Sequence, residues 1–183
     1  MTPQQKLVSY RTIVTREILR FSRIWIQTVL PPMITTALYF IIFGNLIGSQ
    51  IGDMEGFRYM EFIIPGLIMM AVITNSYANV VSSFYSSKFQ RHIEEMLVSP
   101  VPNYVIVLGF ISGGVVRGLV CGIAVTAVSL IFSPLNIHSL AVMVSMIFLT
   151  AILFSLAGLI NAVFARSFDD ISIVPTFVLT PLT

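Results

Sequence analysis

A chain of 183 residues that is 56% hydrophobic and only 10% charged is not an ordinary soluble domain, in which about 25% of residues carry charge. The formal charge is +2, and five of the ten basic residues (Lys6, Arg11, Arg16, Arg20 and Arg23) precede residue 24, a placement that marks the cytoplasmic flank of a span rather than a nucleic-acid surface. The single cysteine, Cys121, excludes an intrachain disulfide and a cysteine metal cluster.

The uncharged runs identify an integral membrane protein, because a span needs about 20 mainly apolar residues. The length is compatible with one domain, 1–183. Residues 5–23 predict an amphipathic helix in which Tyr10, Val14, Ile18, Phe21 and Trp25 recur at helical spacing. Such a helix lies in the membrane interface with its basic residues toward headgroups; the plainer reading is a set of positive-inside charges ahead of the first span. That span is 24–47. Pro31 and Pro32 kink it unless both lie in its first turn. The first apolar stretch leads into further spans, not into a small-residue cleavage site, so a cleavable signal is not expected.

A polar loop, 48–60, with Gly48, Gly52, Asp53, Glu55 and Gly56, precedes the second span, 62–84. Thr74, Asn75, Ser76, Tyr77, Asn79, Ser82 and Ser83 give that span a polar stripe. The third apolar run, 104–132, is longer than a span requires, so its start falls at or outside the interface. Ser133-Pro134 ends it. The fourth span is 140–164, and a polar turn from Arg166 to Asp170 follows. Asp169 or Asp170 is placed to cap the next helix. A fifth apolar run begins at Ile171 and reaches Thr183. As helix it extends only about 20 Å against a hydrocarbon core of about 30 Å. The expectation is therefore a C-terminally truncated membrane domain. With a cytoplasmic N-terminus, the inside segments hold eight basic residues and the outside loops one, Arg58, a strong positive-inside bias.

Residues 86–102 form a polar island on the cytoplasmic side, read as a short helix over 87–99. Phe89, Ile93, Met96 and Leu97 share one helical face, while Lys88, Gln90, Arg91, Glu94 and Glu95 occupy the rest. Ser87 and Gln90 match a capping box, and Pro100 and Pro102 stop the helix. An apolar edge with charged sides either rests on headgroups or docks into a groove on a soluble partner.

Three other sets stand out. Arg117 lies in the third apolar run; an intramembrane charge is costly and by default functional, unless the span starts near Phe110 and the side chain snorkels. Gly109 with Gly113, and Gly114, Gly118 and Gly122, form small-residue rows that let helices approach closely, either within the subunit or between subunits. Asn75 and Asn79, with Thr28 and Thr35, are candidates to line a translocation path with Arg117, or to hydrogen-bond between helices. His92 and His138 fall on opposite sides of the membrane and cannot share a metal. A phosphate loop of the form G-x-x-x-x-G-K-[ST] is missing, and neither lysine, Lys6 or Lys88, follows a glycine. Energy from ATP would have to come through a partner.

The segments RIWIQTVLPP, YFIIFGNLIG, GFRYMEFIIPGLIMM, KFQRHIEEMLVSPVP and FDDISIVPTFVLTPLT, in this order and spacing, resemble those of the type-2 ABC exporter permeases. The resemblance covers nearly the whole chain. It implies an all-α polytopic membrane protein of the bacterial inner membrane, with an N-terminal interfacial helix, four complete spans here and the start of a fifth. The family subunit has six spans, forms a dimer and engages two cytoplasmic ATPase subunits. Its first cytoplasmic loop is a coupling helix, which falls on 87–99 with Phe89, Arg91, Ile93, Glu94, Glu95, Met96 and Leu97. ATP and Mg belong to the partner ATPase, and the permease itself is not an enzyme. The alternative class is a secondary transporter, or another multi-pass protein without an ATPase partner. Ion coupling often uses intramembrane carboxylates, and every Asp and Glu is expected in a loop or near an end. An intramembrane protease would need a catalytic pair that the sequence does not place.

Overall fold

The computed structural model describes residues 2–47, 59–132 and 139–182. Among them every regular element is helical: α1 (Pro3–Arg23), α2 (Trp25–Tyr39) continued by a π-helical stretch (Phe40–Ile47), α3 (Tyr59–Phe89), α4 (His92–Val98), α5 (Asn103–Phe132), α6 (Leu140–Phe164), α7 (Phe168–Val174), a π-helical turn (Pro175–Leu179) and α8 (Thr180–Leu182). Among the described residues, four stretches are long and apolar enough to cross a membrane: Trp25–Phe43, Phe62–Phe89, Asn103–Phe132 and Leu140–Phe164. The 48–58 segment with Arg58, the Ser133-Pro134 stop and His138 lie outside the described residues.

The contacts fix the topology. Along α3 and α6, Ile147 packs on the cluster that holds Ile64 and Ile68, Tyr77 meets Gly158, and Lys88 reaches Val163 and Ala165, so these helices run parallel. Helix α5 runs opposite to both, with Gly114 beside Ser155 and Val80, and Gly122 beside Val72. Helix α2 follows α5, with Thr28 beside Cys121 and Phe40 stacked on Phe132. The core lies on α3 and α5, from Val72, Val80, Ile106, Phe110 and Val115 to Leu159 of α6. The outward sides of α2 and α6, including Ile34, Leu38, Phe148, Leu149, Leu153 and Ile160, stay exposed, as lipid-facing surfaces do.

The glycine rows divide by direction. Gly109 and Gly113 are pressed against Ile13 and Glu17 of α1, whereas Gly114, Gly118 and Gly122 are pressed against Ser76, Val80 and Val72 of α3. All five serve contacts within this chain. Gly118 is tightest: a Cβ there would run into Ser76 Oγ. Proximity, not a hydrophobic driving force, is what holds helices together in lipid.

Helix α1 starts with a capping box, Thr2 with Gln5, and Pro3 in the first turn, where a missing N–H costs nothing. It runs in step with the first half of α5: Lys6 lies over the Tyr104 ring, Tyr10 bonds Ser112, Ile13 meets Gly109 and Glu17 meets Gly113. Pro31 and Pro32 sit inside α2, beyond its first turn, yet the helix continues to Tyr39. Pro32 has no N–H for the Thr28 carbonyl four residues back, and the Cys121 thiol takes its place, donating to Thr28 O at 3.6 Å. Pro175 repeats the arrangement: the carbonyl it abandons, Ile171 O, lies 3.5 Å from Asn161 Nδ2.

Two local expectations need correction. The island is not one helix over 87–99 with a Ser87–Gln90 capping box. Helix α3 continues to Phe89, with Ser87 buried in it. The chain then breaks at Arg91, which has φ 62 and ψ 7, and α4 resumes for only seven residues. A left-handed residue just past a helix end satisfies the last carbonyls, here through Arg91 N to Lys88 O. At the α6–α7 turn, Ser167 is the N-cap and Asp170 its reciprocal partner.

Candidate functional site: a buried charge cluster and an exposed short helix

Where α1, α3 and α5 converge, five polar side chains meet: Glu17, Arg20, Asn79, Ser83 and Arg117. Glu17 is only 2% exposed, because Phe21 one turn on and Ile13 one turn back turn its stripe toward α5, and Gly113 leaves room for its Cβ. Its Oε1 accepts from Ser83 Oγ at 2.6 Å, and its Oε2 lies 3.4 Å from Arg20 Nη2. The same Nη2 donates to Asn79 Oδ1 at 2.9 Å and to Asn79 O at 3.0 Å. Arg117 Nη1 approaches Asn79 Oδ1 at 3.5 Å. One amide oxygen thus faces two guanidinium groups, while its own Nδ2, fully buried, donates to nothing.

The balance of charge is uneven. Glu17 is engaged by Ser83 and Arg20. Arg117 has that one long hydrogen bond and, among the described residues, no carboxylate within ion-pair distance. The Nε atoms of Arg20 and Arg117 are buried without acceptors. On the outer side of α1, Arg11, Arg16, Arg20 and Arg23 line an open hollow of about 910 Å³. Arg20 belongs to both the hollow and the cluster.

The sequence candidates for a path fall in different places. Asn79 and Arg117 meet. Thr28 is buried beside Cys121, bonding Ile24 O of its own helix. Asn75 also turns to its own helix, donating to Ala71 O at 3.0 Å, and Thr35 points outward. Glu17 is not among the sequence candidates and Arg20 counts there only as one of the headgroup-facing basic residues, whereas the structure turns it onto Asn79 and Glu17; the expectation that every carboxylate lies in a loop or near an end fails at Glu17. Its position gave a signal: it shares the helical face of Ile13 and Phe21.

At the other candidate site, the break at Arg91 redistributes the predicted apolar face. Ile93 is buried, and Ile93 and Met96 pack on the core cluster with Ile106 and Phe110. Phe89 belongs to α3 and, like Leu97 and Val98, is exposed; Val98 is 88% accessible. Arg91, Glu94 and Glu95 are also exposed. The surface that α4 offers is therefore Leu97 and Val98 beside Glu94 and Glu95, with Ile93 and Met96 holding the helix down.

This end of the bundle is tied across. Lys88 Nζ donates to Val163 O and Ala165 O at 2.7 and 2.8 Å, a cation on the free carbonyls of a helix end. Phe168 packs edge-on against Tyr85 and Phe89. Asp170 accepts from the Arg166 and Ser167 backbone N–H groups, and those bonds, then the Ser167 side chain, hold its carboxyl below the usual carboxylate range. Among the described residues no group of three or more His, Cys, Asp or Glu is placed to hold a metal.

Comparison with known proteins gives a consistent result. Residues 8–183 match the family model for the ABC-2 type transporter. The chain is 65% identical to the inner membrane transport permease YadH of Escherichia coli K12 over 176 residues, which is 96% of this chain and 69% of that protein. The YadH of Shigella flexneri gives the same figures. Nodulation protein J of Neorhizobium galegae is 22% identical over 96% of this chain and 68% of its own length. No solved structure matches.

Proposed function

From the premise that this chain belongs to the ABC-2 type transporter family, which makes it a membrane permease of an ABC system, we propose that it is the transport subunit of an inner-membrane exporter driven by a separate ATPase that docks on α4. The family implies the ATPase; the exposed side of α4 is the observation that supports where it binds. A seven-residue helix anchored by Ile93 and Met96 presents Leu97 and Val98 with a carboxylate rim. Apolar anchors ringed by charge suit a reversible interface. The N-terminus, α4 and the α6–α7 turn lie on the cytoplasmic side, in keeping with the basic bias of those segments.

Movement of α4 has a direct route into the spans. It joins α3 at Arg91, packs through Ile93 into the core cluster that α3, α5 and α6 build, and α3 is tied to the end of α6 through Lys88. A push from a closing ATPase dimer is thereby delivered to three spans at once. The permease acts as a homodimer, and the exposed apolar sides of α2 and α6 are available for lipid or for the second copy. The buried Glu17 does not revive ion-coupled transport, because Ser83 and Arg20 occupy its oxygens.

Affinity purification of the tagged permease from native membranes tests this reading. It should bring down an ATP-hydrolysing protein, and Leu97→Asp should remove that activity while leaving the permease folded. Undiminished ATPase in Leu97→Asp, or none with the wild type under mild extraction, contradicts docking at α4.

A further inference from the structure

We propose that Arg20, Asn79 and Arg117 form a binding site for an oxyanion, the chemistry carried by the phosphate of an anionic phospholipid headgroup or by free phosphate. The proposal rests on the membrane setting and is independent of where the ATPase docks. The cluster is short of negative charge: it holds two guanidinium groups and one carboxylate, and that carboxylate serves Ser83 and Arg20, not Arg117. Three donors, Arg20 Nε, Arg117 Nε and Asn79 Nδ2, are buried with nothing to accept them. A cation left unpaired in such a place is strongly unfavourable, and an arriving oxyanion relieves it through the fork geometry that guanidinium presents to phosphate.

The depth is right. Helices α3 and α5 have 31 and 30 residues, about 45 Å each, against a hydrocarbon core of about 30 Å. With their loop-side ends, Tyr59 and Phe132, at one boundary, Asn79 and Arg117 come within about 8 Å of the other. That is within reach of a headgroup for a side chain as long as arginine. There is also an approach. Arg20 is 35% exposed and lies in the hollow that Arg11, Arg16 and Arg23 line on the outer side of α1. An anion attracted to those arginines meets Arg20, whose guanidinium is joined to that of Arg117 through Asn79 Oδ1.

The test is native mass spectrometry of the full chain in a neutral, phosphate-free detergent, titrated with phosphatidylglycerol or phosphatidylcholine. The wild type should retain phosphatidylglycerol at least about tenfold more strongly, the scale of a charge-assisted contact. Arg117→Gln and Arg20→Gln should each lose most of that preference; Arg166→Gln, at the distant α6–α7 turn, should keep it. Arg117→Lys keeps the charge without the fork and should lose a smaller part, which separates loss of the site from loss of the fold. Inorganic phosphate at millimolar concentration then distinguishes the sources: displacement of the lipid assigns the site to a free oxyanion, and retention assigns it to the headgroup of an embedded lipid. Equal retention of the two lipids by the wild type, or a preference unchanged in both Arg117→Gln and Arg20→Gln, overturns the proposal.

Discussion

Replacing Glu17 by alanine tests the charge cluster. The variant removes the acceptor of a 2.6 Å hydrogen bond from Ser83 and the anion facing Arg20. A buried hydrogen bond to a charged group contributes about 1.5–3 kcal/mol. The Arg20 pair is long and the arginine is 35% exposed, so it adds no more than about 1 kcal/mol. The expected loss is about 2–4 kcal/mol. At about 2–4 °C per kcal/mol for a chain of this size, the melting point in detergent should fall by about 5–15 °C, compared at one scan rate because unfolding in detergent is irreversible. Glu17→Gln keeps an acceptor for Ser83 and should lose less than half as much. Ser83→Ala addresses the same bond from the other side, so the double variant should be less destabilised than the sum by at least about 1 kcal/mol. A Glu17→Ala melting point within about 1 °C of wild type, or strictly additive effects, refutes the cluster as a structural unit.

Other perturbations follow from single contacts. Cys121→Ser, which still offers a donor to Thr28 O, should melt within about 2 °C of wild type, whereas Cys121→Val leaves that carbonyl orphaned and should cost about 1–3 kcal/mol. Gly158→Ala places a Cβ 2.7 Å from the Tyr77 carbonyl oxygen; a backbone atom between packed helices cannot move aside, so about 1–3 kcal/mol should be lost on the same melting assay. Ile93→Asp should unfold the α4 region and lower the yield of folded protein by gel filtration, while Leu97→Asp should not, since only Ile93 is buried. For Asp170, the depressed carboxyl gives stability that is full above the ordinary carboxylate value near 4 and is lost as pH falls through the lower folded value. Asp170→Asn should therefore melt below wild type at pH 7 and converge with it on acidification, as read by melting across pH.

The spans were legible because the bilayer demands long apolar runs, and runs of that kind have one structural outcome. The helix over 5–23 was legible from the helical spacing of its apolar stripe. What escaped was decided by neighbours. Ser87 and Gln90 have the residues of a capping box, but Ser83, Tyr85 and Ser87 are buried in α3, and that packing carries the helix to Phe89. The break then falls on Arg91, without the glycine or asparagine that announces a left-handed turn. Glu17 was hidden by its charge, because a carboxylate among arginines reads as a solvated face. The glycine rows were plain, yet only the fold tells which helix each one meets: Gly109 and Gly113 take α1, and Gly114, Gly118 and Gly122 take α3. Asn75 and Asn79 are one turn apart and equivalent in sequence, but only Asn79 faces the arginines.

The central claim is that α4 receives the ATPase through its exposed side. The most direct measurement is site-specific crosslinking in native membranes with Cys121→Ser and a single cysteine at Val98, the most exposed apolar position of α4. A matched control carries its cysteine at Ile131, at the opposite end of α5. The account predicts a crosslink from Val98→Cys to an ATP-binding protein, lost with Leu97→Asp and absent from Ile131→Cys. Crosslinks from Val98→Cys only to lipid or to another copy of the permease, in a folded sample, contradict it.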